Sequence, residues 1–220
     1  MKSFQLLLLI STINLSYQCP DISPMSSFNT TEYIRATWYI QQQQITGYQP
    51  RNTLYCVAQT LNVSRKIVPF FFGRVIDVYN YGNIGKVNGN QENKNNITLC
   101  AREIDKNHTS KLLNAPCFLP NILAGPYWVL AAGPHSYNYS WAIVSGGPPT
   151  SVYNDGNCSN KLNGTNGSGL WLFTRERLGL NVKSYVENMR NILLNFGYTT
   201  SQLLNVVQDG CAYDGAFIKS

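Results

Sequence analysis

Between Trp38 and Trp171 the chain alternates short apolar runs with polar breaks, which is the pattern of an antiparallel β-sheet. The runs are rich in aromatic and β-branched residues, and Gly, Asn and Pro separate them. There are eight runs, at residues 38–44, 53–61, 70–79, 97–104, 112–119, 127–133, 139–146 and 170–175. Eight sequential strands favour a closed barrel, which has no exposed sheet edge and whose interior fills with side chains or holds one small ligand.

The pattern changes after the last predicted strand, where apolar residues recur every three or four positions. They are Val182, Tyr185, Val186, Met189, Ile192, Leu193 and Phe196. This spacing predicts an amphipathic helix with Asn181 as its N-cap and Gly197 as its C-terminal stop. We expect its apolar stripe to pack on the outside of the barrel, and residues 203–207 to add a short edge strand.

The N-terminus has the pattern of a secretory signal peptide. Lys2 supplies a positive charge, residues 4–10 form a seven-residue apolar run, and the chain becomes polar before Cys19. A membrane-spanning helix needs ~20 apolar residues, and no later run reaches that length. We therefore predict a signal peptide at residues 1–18 and a secreted barrel domain at residues 19–220, without a transmembrane span.

Cysteines and glycosylation sequons agree with secretion. The six Cys are even in number and widely spaced, with no C-x-x-C pair of the zinc or redox type, so they predict disulfides rather than a metal site. N-x-S/T sequons occur eight times in residues 19–220, and we expect glycosylation at some of the seven in polar or turn-like surroundings. These seven are Asn29, Asn62, Asn96, Asn107, Asn157, Asn163 and Asn166.

Charge and motif content argue against two functional classes. The net charge is +6, but basic residues occur in pairs at most, which argues against a nucleic-acid partner. The chain has no G-x-S-x-G, no H-E-x-x-H and no phosphate-binding Gly loop, and its two His lie in a sequon and in a turn. We therefore predict that the protein is not an enzyme, has no catalytic residues and needs no cofactor.

Three local patterns resemble the lipocalin family, in which eight strands are followed by a helix and a short strand. Residues 33–39 (YIRATWY) resemble the G-x-W-Y entry to the family's first strand, and residues 170–175 (LWLFTR) resemble the eighth strand with its family Arg. Residues 127–132 and 137–145 resemble strands six and seven of the apolipoprotein D and bacterial branch. The similarity extends to Cys211, and it implies an all-β, eight-stranded antiparallel barrel with a C-terminal helix packed outside.

The resemblance also implies roles for individual residues. Trp38 and Arg175 would plug the closed end of the barrel as a cation–π pair. Alternation along the strands then turns a set of side chains towards a cavity above the plug, although each has an equally good explanation as ordinary core. This set is Trp171, Phe173, Val57, Gln59 and Leu61, and Phe118 joins it because it resembles an aromatic of the fifth strand that lines the pocket in the apolipoprotein D branch.

The resemblance narrows the disulfide pattern as well. Six Cys allow fifteen connectivities, which the sequence alone does not decide. The resemblance implies one bridge from Cys56 to Cys211 and another from Cys19 to Cys158. Cys100 and Cys117 remain, on predicted neighbouring strands four and five, where a cross-strand bridge is feasible.

The favoured function is a secreted carrier whose barrel binds a small hydrophobic ligand. The resemblance implies a fatty acid, lysophospholipid, steroid, retinoid or tetrapyrrole. One alternative is a secreted interaction protein with a filled barrel, whose long loops at residues 80–96 and 148–169 contact an anionic surface or a cell-surface receptor. The other is an isomerase of the same fold, which would need a free thiol in the barrel.

If the N-terminal prediction is correct, the secreted protein begins near Cys19, after cleavage between residues 16 and 19. Mass spectrometry of the N-terminal peptide of secreted material measures this directly. A secreted chain that still carries Lys2 would contradict the prediction.

Overall fold

The protein is described here by a computed structural model that covers residues 18–93 and 95–220. The predicted signal peptide lies outside these residues, apart from Gln18. Eight strands form a closed antiparallel barrel in sequence order, as predicted. They are β1 (Trp38–Gln44), β2 (Tyr55–Val63), β3 (Val75–Ile84), β4 (Thr98–Glu103), β5 (Lys111–Pro116), β6 (Gly125–His135), β7 (Asn138–Ser145) and β8 (Leu170–Thr174).

The barrel closes because β8 pairs with β1 as well as with β7. In this seam Ile40 is opposite Phe173, and a bulge follows Ile40 on β1. Closure removes the free edges that an open sheet would expose. A short strand, β9 (Leu203–Asn205), pairs with residues 42–44 of β1, which confirms the predicted strand after the helix.

The two ends of the barrel differ. Successive strands run in opposite directions, so the loops after β1, β3, β5 and β7 share one end, and the loops after β2, β4 and β6 share the other. A short helix, α1 (Thr30–Tyr33), leads into β1 at the second end, and Tyr33 packs there against Trp38. This end is closed, whereas the first end opens into a cavity.

A second helix, α2 (Leu180–Asn195), packs on the outside of β7 and β8, as the apolar stripe predicted. Met189 and Leu193 are fully buried there in one cluster with Ile143 and Leu172. None of the helices in the described ranges is both long enough and apolar enough to cross a membrane.

The two ends of α2 are set by glycines. The predicted Asn181 cap is wrong, because Gly179 is the N-cap at φ 129° and Asn181 lies in the first helical turn. Glycine suits this position since L side chains rarely adopt such a φ. The predicted stop at Gly197 is confirmed: it has φ 76°, and the Tyr198 amide donates to the Leu193 carbonyl at 2.9 Å, as in a Schellman motif.

Several predicted strand boundaries are wrong. The third strand begins at Val75 rather than at Phe70 and continues to Ile84, so it takes residues 80–84 from the predicted 80–96 loop. The fifth strand ends at Pro116 instead of Leu119. Proline has no amide hydrogen to continue the ladder. The predicted 148–169 loop contains a small hairpin of residues 151–152 and 158–159.

All six Cys form disulfides: the two bridges that the resemblance implied, and a third between the two remaining Cys. The Cα atoms of the pairs are 5.7, 5.5 and 4.9 Å apart, within the usual range. One bridge ties the N-terminal arm to the loop between β7 and β8, one ties the C-terminal segment to β2, and one crosses from β4 to the loop after β5. They are Cys19–Cys158, Cys56–Cys211 and Cys100–Cys117.

Truncating the buried face of α2 should destabilise the barrel. We expect Met189→Ala to lower the free energy of unfolding by about 2–5 kcal/mol, because it leaves a cavity against Ile143 and Leu172. Denaturant unfolding measures this change. Glu187→Ala, at an exposed position of the same helix, is the control and should change stability by less than about 0.5 kcal/mol. Equal losses in the two variants would contradict the packing of α2.

Candidate functional site

The closed end of the barrel is built around the side chain of Arg175. Its Cζ atom lies 3.4 Å from the centroid of the Trp38 ring, which is fully buried. Nη2 donates to the carbonyls of Glu32 and Tyr33 at 2.9 Å each, and Nε donates to the Tyr139 carbonyl at 3.3 Å. One guanidinium therefore joins α1, the start of β1 and the start of β7.

This cation is removed from water, and backbone carbonyls replace its hydration shell. Burial lowers the pKa of Arg175 to about 9, so the group remains a cation at neutral pH. The Trp38 indole donates to the Tyr33 carbonyl at 2.9 Å, which fixes the ring beneath the cation. The side chain of Glu32 accepts from the Tyr139 amide at 3.0 Å and pairs with Arg35, which holds α1 against the barrel.

Above the plug, a chain of hydrogen bonds crosses the barrel interior. The Tyr127 hydroxyl donates to Gln59 Oε1 at 2.6 Å, and the Gln59 amide donates to Asn80 Oδ1 at 2.9 Å. Because the Tyr127 proton is used on Gln59, the Tyr33 hydroxyl is the donor in its 2.7 Å bond to Tyr127. Burial raises the pKa of both phenols, so they stay neutral and provide a fixed polar strip in an apolar interior.

A cavity of about 670 Å³ extends from this strip to the open end. Its wall is largely apolar and aromatic, and its mouth carries amide side chains and one carboxylate, Glu92, whose pKa is raised by partial burial. The apolar wall includes Ile40, Val57, Leu99, Tyr127, Trp171 and Phe173. The polar lining residues include Gln49, Asn80, Glu92, Asn93, Asn114 and Asn166.

Four of the six residues predicted to face a cavity line it, namely Trp171, Phe173, Val57 and Gln59. The Trp171 indole donates to Gln49 Oε1 at 3.0 Å, which fixes the ring at the mouth. Leu61 is fully buried in the core cluster that contains Trp38, so it is core rather than cavity lining.

The prediction for Phe118 is wrong, because this residue is 75% exposed and lies outside the cavity. The resemblance placed Phe118 on the fifth strand as a pocket-lining aromatic, which requires β5 to continue to this residue. Instead β5 ends at Pro116, and Cys117 is bonded to Cys100 on β4, so the chain leaves the barrel wall before Phe118.

Sequence reasoning missed several residues of the site. Tyr127 could have been found, because it begins the sixth predicted run and alternation places it on the same face as the buried Val129. Asn166 carried no such signal, since it lies in a Gly- and Asn-rich loop whose path depends on distant contacts.

The loop that brings Asn166 to the mouth is fixed by a buried amide. Asn160 Nδ2 donates to the Gly147 carbonyl at 3.0 Å, and the Gln44 side chain donates to the Asn160 carbonyl at 2.8 Å. Gly146 is required for close approach, because a Cβ atom there would lie 2.0 Å from the Ser168 carbonyl oxygen. These contacts hold residues 165–168 at the cavity mouth.

Most of the predicted glycosylation sites are accessible. Asn62 and Asn157 are half-buried, and the other five are exposed: Asn29, Asn96, Asn107, Asn163 and Asn166. Asn138, in the eighth sequon, is exposed as well. Glycosylation itself stays a prediction.

Comparison with solved structures identifies the fold. Insecticyanin from the tobacco hornworm Manduca sexta superposes with a TM-score of 0.51 at 14% identity, over 86% of this chain and 85% of that one. The siderocalin Ex-FABP gives a TM-score of 0.45 at 12% identity, over 81% and 96% of the two chains. No protein-family model and no curated protein matches the sequence. The chain thus has the lipocalin fold, and similarity at this identity shows the fold alone.

Removing the plug cation should destabilise the protein without altering what the cavity accepts. We expect Arg175→Ala to lower the free energy of unfolding by about 2–4 kcal/mol, since it removes a cation–π contact and the charge-assisted hydrogen bonds to the carbonyls of Glu32 and Tyr33. Thermal unfolding and ligand selectivity are the two measurements. Arg51→Ala, at an exposed position, is the control. Equal melting temperatures for Arg175→Ala and the parent protein would contradict the prediction.

Proposed function

We propose that this protein is a carrier that binds a small hydrophobic ligand in its barrel cavity. The observation that carries the proposal is the cavity itself, which has a volume of about 670 Å³ between the plugged end and the mouth. This volume lies within the range of small-molecule sites, and such sites combine an apolar wall with a few polar groups, as this one does. A barrel whose interior were filled by side chains would leave no such space.

The lining favours a ligand with an apolar body and a polar end. Trp171 and Phe173 offer aromatic surface to the body, and the side-chain amide of Asn166 at the mouth can hydrogen-bond a hydroxyl, carbonyl or carboxyl group. Fatty acids, lysophospholipids, steroids, retinoids and tetrapyrroles share this design. The resemblance of residues 127–132 and 137–145 to the apolipoprotein D and bacterial branch supports the same classes.

Carrier function is favoured over catalysis. The isomerase alternative needs a thiolate nucleophile, but all six Cys are paired in disulfides. The Tyr33 phenol donates to Tyr127 and the Tyr127 phenol donates to Gln59, and burial raises the pKa of both, so they stay protonated and do not act as general bases at neutral pH. We propose that the cavity binds and releases its ligand without chemical change.

We further propose that the carrier is secreted. Three disulfides are typical of proteins that fold in an oxidising compartment. The charged and apolar pattern of residues 1–18 supports export.

Intrinsic fluorescence tests whether the cavity binds a ligand. We expect saturable quenching when retinol, a fluorescent fatty acid, a steroid or a tetrapyrrole is titrated, and Trp171→Phe should remove most of it because Trp171 lines the cavity. Trp128→Phe is the matched control, since Trp128 packs in the outer cluster with α2. No saturable change with any of the four ligand classes would reject the carrier, as would equal quenching after loss of Trp171.

Filling the cavity provides a second test. Leu99 lies on the cavity wall, and we expect Leu99→Trp to abolish ligand binding because the larger side chain occupies the space. Val63→Trp adds the same group at an exposed position of β2 and should leave affinity unchanged. Circular dichroism confirms that both variants fold. Undiminished binding by a folded Leu99→Trp variant would place the ligand elsewhere.

A further inference from the structure

The loop between β2 and β3 presents large apolar side chains to solvent. Ile67 is 89% exposed, Phe70 is 92% exposed and Phe72 is fully exposed, whereas Val68 between them is buried. We refer to residues 64–74 as the aromatic loop. Single exposed apolar residues are common on soluble proteins, but three of this size on one short loop mark a site of interaction.

The geometry of the aromatic loop explains which side chains face out. The Phe71 amide donates to the Val68 carbonyl at 3.2 Å, and these two residues pair as an isolated antiparallel bridge. Val68 and Phe71 pack in one cluster with Val75, against the outer face of the barrel. In such a small hairpin the next pair along, Ile67 and Phe72, points to the opposite face. The outward face of the loop is therefore apolar, and its inward face anchors it.

Phe70 occupies a turn position that rarely holds an aromatic residue. Its φ of 58° is left-handed, and with Pro69 before it the turn resembles type II, whose third residue is usually Gly or Asn. A phenylalanine there is conformationally unfavourable, and its ring gains no burial in this chain. The ring therefore has no role in the fold that would offset its position, which points to a contact outside the protein.

Charge identifies the surface that the loop fits. Residues 64–76 contain three cations, Arg65, Lys66 and Arg74, and no acidic residue. Lys66 lies 3.2 Å from Asp77 and Arg74 lies 3.9 Å from Glu103, while Arg65 makes no ion pair with any residue that the structure describes. The whole chain is also basic, with a net charge of +6. Apolar side chains flanked by cations are the composition of segments that enter the interface of an anionic membrane.

We propose that the aromatic loop docks the protein on an anionic phospholipid bilayer. Ile67, Phe70 and Phe72 enter the boundary between headgroups and acyl chains, and the flanking cations contact lipid phosphates. A lipid surface fits better than a protein receptor, because a stable protein interface needs about 800 Å² from each partner, more than the three side chains of one turn supply. The docking does not depend on the proposed ligand, since the loop after β2 lies at the closed end of the barrel and the cavity opens at the other.

Vesicle flotation tests the docking. The unmodified protein should float with vesicles of phosphatidylcholine mixed with phosphatidylserine, and float less with phosphatidylcholine alone or at high salt. Phe70→Gly and Phe72→Ser should each weaken the binding on the order of tenfold, because each removes a phenyl group that would be buried in the bilayer. Phe70→Gly should also leave the melting temperature unchanged or raise it, because glycine accepts the left-handed φ without strain.

The matched control is Phe118→Ser, which removes an exposed phenylalanine from the loop after β5 and should leave vesicle binding unchanged. Failure of the unmodified protein to float overturns the proposal, as does full binding by Phe70→Gly or an equal loss in Phe118→Ser. Self-association that the Phe70→Gly variant loses, without vesicle binding, would identify a second copy as the partner and also overturn it. Titrating Phe70→Gly with retinol keeps the two proposals separate, because cavity binding should persist.

Discussion

The contact between the Arg175 guanidinium and the Trp38 ring holds the closed end together, and the rest of the site depends on it. A buried cation is costly unless it is hydrogen-bonded, and Arg175 donates to the carbonyls of Glu32, Tyr33 and Tyr139. The segment before β1 is thereby fastened across the base of the barrel. With one end closed in this way, the space above it becomes a cup with a single mouth instead of an open channel.

The cavity is shaped by polar groups that satisfy one another. The bonds from Tyr33 through Tyr127 and Gln59 to Asn80 pair these polar groups with one another, so they form an ordered wall next to the apolar space. At the mouth, the buried Asn160 amide donates to the Gly147 carbonyl and so fixes the loop between β7 and β8. Disulfides on the outside hold the N-terminal arm, the C-terminal segment and the β5 loop against this frame.

In the proposed carrier, the two ends of the barrel have different functions. The mouth exchanges a lipophilic molecule, and the aromatic loop at the closed end would hold the protein near the membranes from which such molecules come. Because the aromatic loop and the cavity mouth lie at opposite ends, the strained Phe70 turn does not disturb the cavity wall. The buried Val68 and the half-buried Phe71 keep the loop attached to the barrel while its other face remains available.

The sequence by itself determined the strand order and the outer helix, because apolar alternation and helical periodicity record burial locally. The inward direction of Trp171 and Phe173 follows from alternation only after the resemblance places Arg175 on the barrel axis. The resemblance supplied the Trp38 and Arg175 pair and two of the three disulfides. Only the tertiary structure decided where Phe118 points, that Gly179 rather than Asn181 caps α2, and how Asn166 reaches the mouth. Those features depend on where strands end and on bonds between residues far apart in the chain, such as Cys100 with Cys117, and no local pattern encodes such contacts.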